Sequence, residues 1–427
     1  KKKMFFILFS IVLFFELIQC RVVLEGDLDL SLNRHDWSKV DHSKLQQTIG
    51  IPSIPVQIWL KWQNIEKLYS FLDQVGDPSS PHFNNPNKYQ TLDQLLSWLT
   101  PKNKGENVLK WLKTVLNEKQ IKFIREDVIE LKELTREQVE QLFQVQVFLF
   151  KHDESEQMMW RAEQHYSVPD EIANEIDIVA GLLNFPNMKN LLKGPNPQPP
   201  RLPAMTPETI NRIYNVSKSS TPPKNYAQAV VSFLGQYWDP KDLSKFQQAN
   251  HQPHHPIDEL YGKNNASDPG VEASLDVQFL LGLAPQFYTW VVSTSGHVGI
   301  NEPWLHFLTF LSLKRNDPRM PLVFSMSYQD YEDTQSRAYA TRVSNEFALY
   351  TATGKTFVTG SGDWGVGCNV DAMFRADFPS SSPYVVSTGA TYFPDVKATP
   401  EFTKQSGVTF SSGGFSNYFG QPLYQDE

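Results

Sequence analysis

The second half of the chain alternates helical stretches with short apolar stretches, and this alternation constrains the fold more than any other feature. The segments EASLDVQFLLGL, PWLHFLTFLSL and TQSRAYATRVSNEFALYTATG have helical character, whereas QFYTWVVST, MPLVFSMSY and KTFVTG are typical of buried strands. Strands that alternate with helices form a parallel sheet covered on both faces. The sequence therefore predicts an α/β domain over residues 208–427, with an active site at the carboxyl ends of its strands.

The first half of the chain has a mixed pattern. VQIWLKW and QVQVFLFKH alternate like strands, and NIEKLYSFLDQV, TLDQLLSWL and TREQVEQLF have helical periodicity, which predicts a small α+β domain over residues 21–185. Residues 186–207 then contain seven prolines, a density that favours an extended, solvated connector open to proteases. We expect either a plain linker or one that contains an activating cleavage site.

The first 20 residues, KKKMFFILFSIVLFFELIQC, join a basic start to an apolar run. This is the pattern of a secretory signal, and the run is short for a transmembrane span. We predict a cleaved signal peptide at residues 1–20, with an uncleaved anchor as the alternative. The secretory pathway, without stable membrane insertion after cleavage, is the expected destination, and the sequons at Asn215 and Asn265 are compatible with glycosylation there.

Composition argues against several classes of protein. The formal net charge of -8 and the lack of a basic stripe argue against nucleic acid as a partner. Two cysteines, Cys20 and Cys368, do not make a disulfide scaffold. The segment HQPHHP contains His251, His254 and His255, but its prolines favour a solvated loop, so no metal site is predicted.

Two carboxylates lie one turn apart in the helical stretch SDPGVEASLDVQFLLGLAP, which covers residues 267–285. If the helix starts near Pro269 after a cap at Ser267 or Asp268, Glu272 and Asp276 share one face. The other residues predicted on this face are apolar: Leu275, Phe279, Leu280 and Leu283.

Two acids in an apolar setting repel each other and resist ionisation, so at least one pKa should be raised and the two should titrate as a pair. Such a pair, Glu272 and Asp276, is a candidate general base at mildly acidic pH. The alternative is a solvated charge pair or a partner for a buried arginine.

A second candidate site is the segment VTGSGDWGVGC, where a strand runs into a glycine-rich turn with Asp363 at its tip. A protonated Asp363 would donate a hydrogen bond to a developing oxyanion, and the alternative is a plain tight turn. After another strand, Ser327, Tyr328 and Gln329 are predicted to bind an extended peptide by strand addition. His297 is a weaker candidate, as the base of a Ser-His-Asp hydrolase.

The helix motif GVEASLDVQFL followed by SGDWGVGC resembles the sedolisins, the serine-carboxyl peptidases. The segments FPSSSPYVVSTGATYF and GGFSNYFGQPLYQDE are similar to flanking parts of that family, and VGDPSSPHFNNPNKYQTLDQLLSWL is similar to its propeptide. The resemblance implies a subtilisin-like α/β peptidase domain behind a ferredoxin-like activation prodomain. It also implies a zymogen that is processed in the connector and works in a lysosome-like or extracellular acidic setting.

By match to the motif, Glu272 would be the general base that activates a serine, Asp276 would orient Glu272 and share its proton, and Asp363 would stabilise the oxyanion. The implied partners are the protein's own prodomain and peptide or protein substrates, with release of short peptides such as tripeptides from free N-termini. Calcium is the implied cofactor.

The chain departs from the family pattern in two ways. The nucleophilic serine, the calcium loop and the disulfide partner of Cys368 are expected beyond the point that matches Glu427, so the chain reads as an incomplete peptidase domain that is inactive by itself. Trp364 stands where the family has a small serine, Gln329 where it has glycine, and Ala390 in place of a second glycine. These changes leave a non-catalytic, peptide-binding relative as the alternative.

Overall fold

The structure is a computed structural model of the chain. It describes residues 20–425 apart from residues 33, 35, 42–52, 84, 154–156, 188–204, 217–225, 295–301, 368–373 and 393–404. The predicted signal peptide up to residue 19, most of the proline-rich connector, His297 and Cys368 lie outside the described residues. No helix in the described part of the chain is long and apolar enough to cross a membrane.

The N-terminal unit is a mixed α+β structure. Its strands are β1 Arg21–Val23, β2 Trp37–Lys39, β3 Ile54–Leu60, β4 Ile121–Arg125, β5 Val128–Leu134, β6 Val147–His152, β7 Met158–Ala162, β8 Ser167–Pro169 and β9 Ile176–Ala180. Its α-helices are α1 Ile65–Gly76, α2 Leu92–Leu99, α3 Glu106–Leu112, α4 Arg136–Phe143 and α5 Asp170–Ala173.

An antiparallel sheet in the order β4-β5-β3-β9 forms the centre of this unit. Helices α1 to α3 lie between β3 and β4 in the chain, and α4 and α5 lie between β5 and β9. This order of strands and helices is the ferredoxin-like arrangement, as the resemblance implied. Capping boxes at Thr91 and Thr135 start α2 and α4. In each box the threonine Oγ1 accepts the backbone N–H of the glutamine three residues later, and the threonine backbone N–H donates to the side-chain oxygen of that glutamine.

The C-terminal unit begins with α6 and is built around a parallel sheet. Its helices are α6 Pro207–Ile213, α7 Pro240–Ala249, α8 Val271–Leu283, α9 Pro303–Leu313 and α10 Arg337–Thr351. Its strands are β10 Ala227–Ser232, β11 Glu259–Tyr261, β12 Tyr288–Ser293, β13 Val323–Met326, β14 Asp330–Tyr331, β15 Thr356–Gly360, β16 Asp377–Phe378, β17 Val386–Thr388, β18 Thr391–Tyr392 and β19 Ser406–Gly407.

Six of these strands form one sheet in the order β11-β12-β10-β13-β15-β17, and every neighbouring pair is parallel. The α/β prediction is confirmed. The strand order reverses beside β10. Strands β12 and β11 lie on one side of β10, and the later strands β13, β15 and β17 lie on the other. Ligand sites of such sheets lie at this reversal, outside the carboxyl ends of the strands.

The two units share buried structure. Side chains of α2 and β3, including Leu95 and Trp59, belong to the same hydrophobic core as Phe347 of α10 and Trp304 of α9. A buried charge cluster crosses the contact as well, because Arg342 of α10 bonds to acids of the N-terminal unit. The N-terminal unit therefore packs against the helical layer of the parallel sheet.

Candidate active site

Helix α8 presents the two predicted acids, but it begins later than expected. It starts at Val271 with Gly270 as the cap, and no side chain of its own caps it, so the predicted start near Pro269 with a cap at Ser267 or Asp268 is wrong. The loop after β10 occupies that space, because a Cβ atom at position 270 would lie 1.9 Å from Oε1 of Gln236.

The buried face of α8 also differs from the prediction. Ala273, Val277 and Leu281 point into the core, whereas Leu275 is 46% exposed. The predicted apolar stripe around the acids is therefore wrong. The helix is hydrophobic over most of its circumference, so periodicity alone did not identify which side the sheet would cover.

Glu272 and Asp276 are nevertheless largely withdrawn from water at the carboxyl end of the parallel sheet. Burial, followed by the charge of Glu272, raises the pKa of Asp276 to about 7, although a hydrogen bond from Ser327 opposes the shift. Burial and the charge of Asp363 raise the pKa of Glu272 as well. The prediction of a raised pKa in this pair is confirmed, and the two carboxyl groups form a coupled acid pair.

Ser327 is the polar contact of this pair that the sequence did not suggest. It follows β13, and its Oγ donates a hydrogen bond of 2.8 Å to Oδ1 of Asp276. The same hydroxyl lowers the pKa of Glu272 against the effect of burial. From the sequence, Ser327 is predicted only to pair with a peptide. It lies 51 residues after Asp276 in the chain, and no local pattern indicates that the two side chains meet.

Asp363 lies in the turn that follows β15, two strands away from β10 in the sheet. Gly362 has a φ of +106° and Gly365 a φ of +64°, conformations that favour glycine, so the glycines of the motif are required by the backbone. Partial desolvation raises the pKa of Asp363, which is exposed at the tip of the turn. The structure therefore brings Glu272, Asp276 and Asp363 to one edge of the sheet.

The segment predicted to bind peptide divides into exposed and buried parts. The Tyr328 side chain is buried against Phe233 and Trp304, so only its backbone is available to a ligand. Gln329 Nε2 donates a bond of 2.7 Å to Oγ1 of Thr359 and so reaches across to the end of β15.

Two of the residues that depart from the family pattern, Gln329 and Trp364, follow the ends of β13 and β15. Gln329 bridges the ends of β13 and β15, and Trp364, which is 47% exposed, stands at the Asp363 turn. The function of this segment in peptide binding stays a prediction.

A second residue missed from the sequence is Gln236, which holds the start of α8. Its Oε1 accepts the backbone N–H of Glu272 at 3.3 Å, and the neighbouring Tyr237 carbonyl accepts the N–H of Gly270 at 2.9 Å. The Gln236 side chain is buried. The loop after β10 thus supplies from a distance the cap that α8 does not provide.

The other candidates stay outside the site. No group of three or more metal-ligating side chains occurs in the ranges that the structure describes, and His251 and His254 are exposed. Asn215 and Asn265 are exposed, as glycosylation requires, although Ser217 of the first sequon lies outside the described residues. Cys20 is an exposed free thiol.

Comparisons with known proteins place these observations in a family. The sequence model described as "Pro-kumamolisin, activation domain" matches residues 40–185. Tripeptidyl-peptidase 1 of Dictyostelium discoideum is 30% identical over 450 residues, which cover 95% of this chain and 71% of that protein. Tripeptidyl-peptidase 1 of Homo sapiens is 33% identical over 382 residues, which cover 86% of this chain and 66% of that protein.

A solved structure of Pseudomonas sedolisin, a serine-carboxyl proteinase complexed with two molecules of pseudo-iodotyrostatin, is also similar. Its sequence identity is 21% and its TM-score 0.40, and the match covers 52% of this chain and 65% of that chain.

The chain belongs to the sedolisin family of serine-carboxyl peptidases and carries an activation domain of the pro-kumamolisin type. Within that family, the relatives described above are tripeptidyl-peptidase 1 proteins of a slime mould and a mammal. The chain spans about two thirds of the length of the human relative.

Proposed function

We propose that this chain is the zymogen part of an acid peptidase that releases tripeptides from the free N-termini of peptides. The observation that carries the proposal is the coupled acid pair: Glu272 and Asp276 share the Ser327 hydroxyl, and the charge of Asp363 acts on Glu272. A carboxylate base is effective at acidic pH, where a histidine base would already be protonated. The tripeptidyl-peptidase relatives support the substrate class.

In this mechanism Glu272 accepts the proton of a serine hydroxyl as the serine oxygen attacks the peptide carbonyl. Asp276 lies one turn behind Glu272 and shares the proton, which is then delivered to the leaving amine. Asp363, protonated at the working pH, donates a hydrogen bond to the oxyanion that forms on the carbonyl oxygen. We assign the nucleophilic serine to sequence that follows Glu427, as the family resemblance implies.

The raised pKa values support a working range below neutral pH. Asp276 holds its proton up to about pH 7, so the pair carries at least one proton throughout the mildly acidic range and is able to pass it between two oxygens. We infer an acidic compartment of the secretory pathway or an acidic extracellular setting as the place of action. Within the described residues no three His, Cys, Asp or Glu side chains are grouped so that they could hold the expected calcium, and no step is assigned to it.

The start of the connector lies close to the candidate site, which supports synthesis of the protein as a zymogen. Pro186 accepts a bond of 3.1 Å from the Trp37 indole, and Asn187 hydrogen-bonds to Tyr328 and Asp330 beside the predicted peptide-binding segment. The connector therefore leaves the N-terminal unit next to the candidate site. We propose that cleavage in residues 186–207 frees the site.

The test uses the complete translation product of the gene, matured at acidic pH, with a peptide whose N-terminus is free. Glu272→Gln should lower kcat by about 10²- to 10⁴-fold, the usual contribution of a general base. Glu208→Gln on the exposed side of α6 is the matched control and should retain activity. Blocking the peptide N-terminus should abolish release, and full activity of Glu272→Gln would refute the proposal.

A second candidate function is peptide binding without catalysis. It is favoured by the exposed Trp364 at the Asp363 turn and by Gln329, whose amide is bonded to Thr359 and occupies the space between two strand ends. The deciding observation is the reading frame after Glu427. A serine in an S-G-T-S-like context supports the peptidase, whereas a stop codon supports the binding protein.

A further inference from the structure

A buried carboxyl group that the proposed mechanism does not use lies beneath the Asp363 turn. Asp377 belongs to β16, which pairs with β14, and its side chain is 5% exposed. The neighbouring Phe378 is fully buried and packs edge-on against Trp304, so the backbone that carries Asp377 is held by the core. The position of this carboxyl is therefore fixed by tertiary packing.

Asp377 contacts the turn at Gly362, a residue without a side chain. Gly362 has a φ of +106°, and a Cβ atom there would lie 2.2 Å from Oδ2 of Asp377 and 2.6 Å from Oγ of Ser412. Any residue other than glycine would collide with both groups. The carboxyl and the hydroxyl thus form the surface on which the residue before Asp363 rests.

Ser412 connects this surface to the turn on both sides of Asp363. Its backbone N–H donates to the carbonyl of Gly362 at 2.9 Å, and its Oγ accepts the N–H of Trp364 at 3.1 Å. The Ser412 side chain also hydrogen-bonds to Asp377. Gly362 and Trp364 flank Asp363, so Asp377 and Ser412 together fix the backbone that aims the Asp363 carboxyl.

The Asp377 carboxyl shares the nearby cation Arg375 with Asp333. Arg375 is engaged by Asp333, with a bond of 2.8 Å from Nε to Oδ2, and lies over the ring of Tyr331. The charges of Asp363 and Asp333 act in the opposite direction to Arg375 and raise the pKa of Asp377. Oδ2 of Asp377 is buried without a hydrogen-bond partner among the described residues, a setting that disfavours the charged form.

We propose that Asp377 is a positioning residue for Asp363. Its neutral carboxyl and Ser412 together hold the Gly362–Trp364 turn in place, a contact that we call the seat, and ionisation of Asp377 disturbs this contact. Burial raises the pKa of Asp377 to about 6, although the hydrogen bond from Ser412 and the charge of Arg375 oppose the shift, and this value sets the range where the change occurs. Below that pH the carboxyl is neutral and the turn is seated. The catalytic consequence rests on the proposed function, in which Asp363 contacts the oxyanion.

The seat is tested on this chain by fluorine NMR with fluorotryptophan, the Trp364 signal being identified from Trp364→Phe. In the wild-type chain this signal should shift between pH 5 and 7 with a midpoint near 6. Asp377→Asn, which stays neutral, should remove the transition, and Asp333→Asn, in the same acidic cluster, should keep it. Ser412→Ala should uncouple the Trp364 signal from pH and serves as the second variant if Asp377→Asn does not fold.

The inference would be overturned if the wild-type chain showed no transition or if Asp377→Asn left the transition unchanged. It would also be overturned if Asp363→Asn removed the transition while Asp377→Asn kept it. In the complete translation product, Asp377→Asn should also move the alkaline limb of kcat to higher pH by about 0.5 to 1 unit, with KM little changed. If Glu272→Gln keeps full activity, the proposed function fails, while the NMR titration still decides the role of Asp377.

Discussion

Acidic side chains at the contact between the two units and at the candidate active site are withdrawn from water, and the two regions treat them in opposite ways. At the contact between the two units, Asp127 and Glu346 are fully buried beside Arg125 and Arg342. At the candidate active site, Glu272 and Asp276 are half-buried, and within the described residues no cation is among their hydrogen-bonded partners; the polar group between them is the Ser327 hydroxyl.

The difference shows that burial alone does not decide the protonation of a carboxyl group. Burial by itself would raise the pKa of Asp127, but the charges of Arg125 and Arg342 outweigh it and hold that pKa well below its usual range. The pKa of Asp276 rises to about 7 because burial is reinforced by the charge of Glu272. A buried acid with a cation is structural, whereas a buried acid with another acid stores a transferable proton.

The largest expected effect on stability comes from removing a cation from the contact between the two units. Arg342→Met should lower the free energy of unfolding by about 3–5 kcal/mol, because it leaves Asp127 and Glu346 buried with one partner fewer. Arg342 also bonds to Asp177 at 2.7 Å, so a third acid loses its partner. Urea denaturation at neutral pH measures the loss.

Lys113→Ala is the control for this prediction, because Lys113 forms an exposed pair with Glu118 at 2.8 Å. A pair of this kind contributes little to stability, because water screens both charges. Equal effects of the two substitutions would contradict the view that the buried cluster is a structural element.

The second prediction concerns the acid pair and the sign of its pH dependence. The pKa of Asp276 is raised in the folded protein, so its neutral form stabilises the fold at low pH and this contribution is lost as the pH rises through about 7. Asp276→Asn removes the titration. Relative to wild type, the variant should gain stability on the order of 3 kcal/mol between pH 4 and 8.

Thermal unfolding of both proteins across that pH range checks this sign. Asp268→Asn, exposed just before α8, should keep a constant difference from wild type. A difference between Asp276→Asn and wild type that does not change with pH would show that Asp276 is ionised in the folded protein.

The smallest expected effect on stability comes from removing one hydroxyl group, that of Ser327, from the acid pair. Ser327→Ala removes the donor to Asp276 and should cost about 1 kcal/mol of stability. Because this hydroxyl lowers the pKa of both acids, its loss should raise the pH at which the pair titrates. Carboxyl carbon NMR measures the titration, and Ser244→Ala, at a helix-surface hydroxyl bonded to Pro240, should leave it unchanged.

Much of the fold was readable from local patterns. The helical stretches at α9 and α10 and the apolar runs at β12, β13 and β15 appear where they were predicted, because side-chain periodicity and caps act within one element. The prediction failed at α8, where the helix begins two residues late at Val271 and buries Ala273, Val277 and Leu281. A helix that is apolar on most sides gives periodicity no single face to select.

The sequence by itself determined that Glu272 and Asp276 lie one helical turn apart and that Asp363 sits in a glycine-rich turn after a strand, since spacing and backbone preference are local properties. Only the tertiary structure decided that these carboxyls meet, that Ser327 joins the pair, and that Gln236 and Asp377 support it. Those contacts depend on the order of strands in the sheet, which is fixed by the packing of the whole domain and leaves no trace in any single segment.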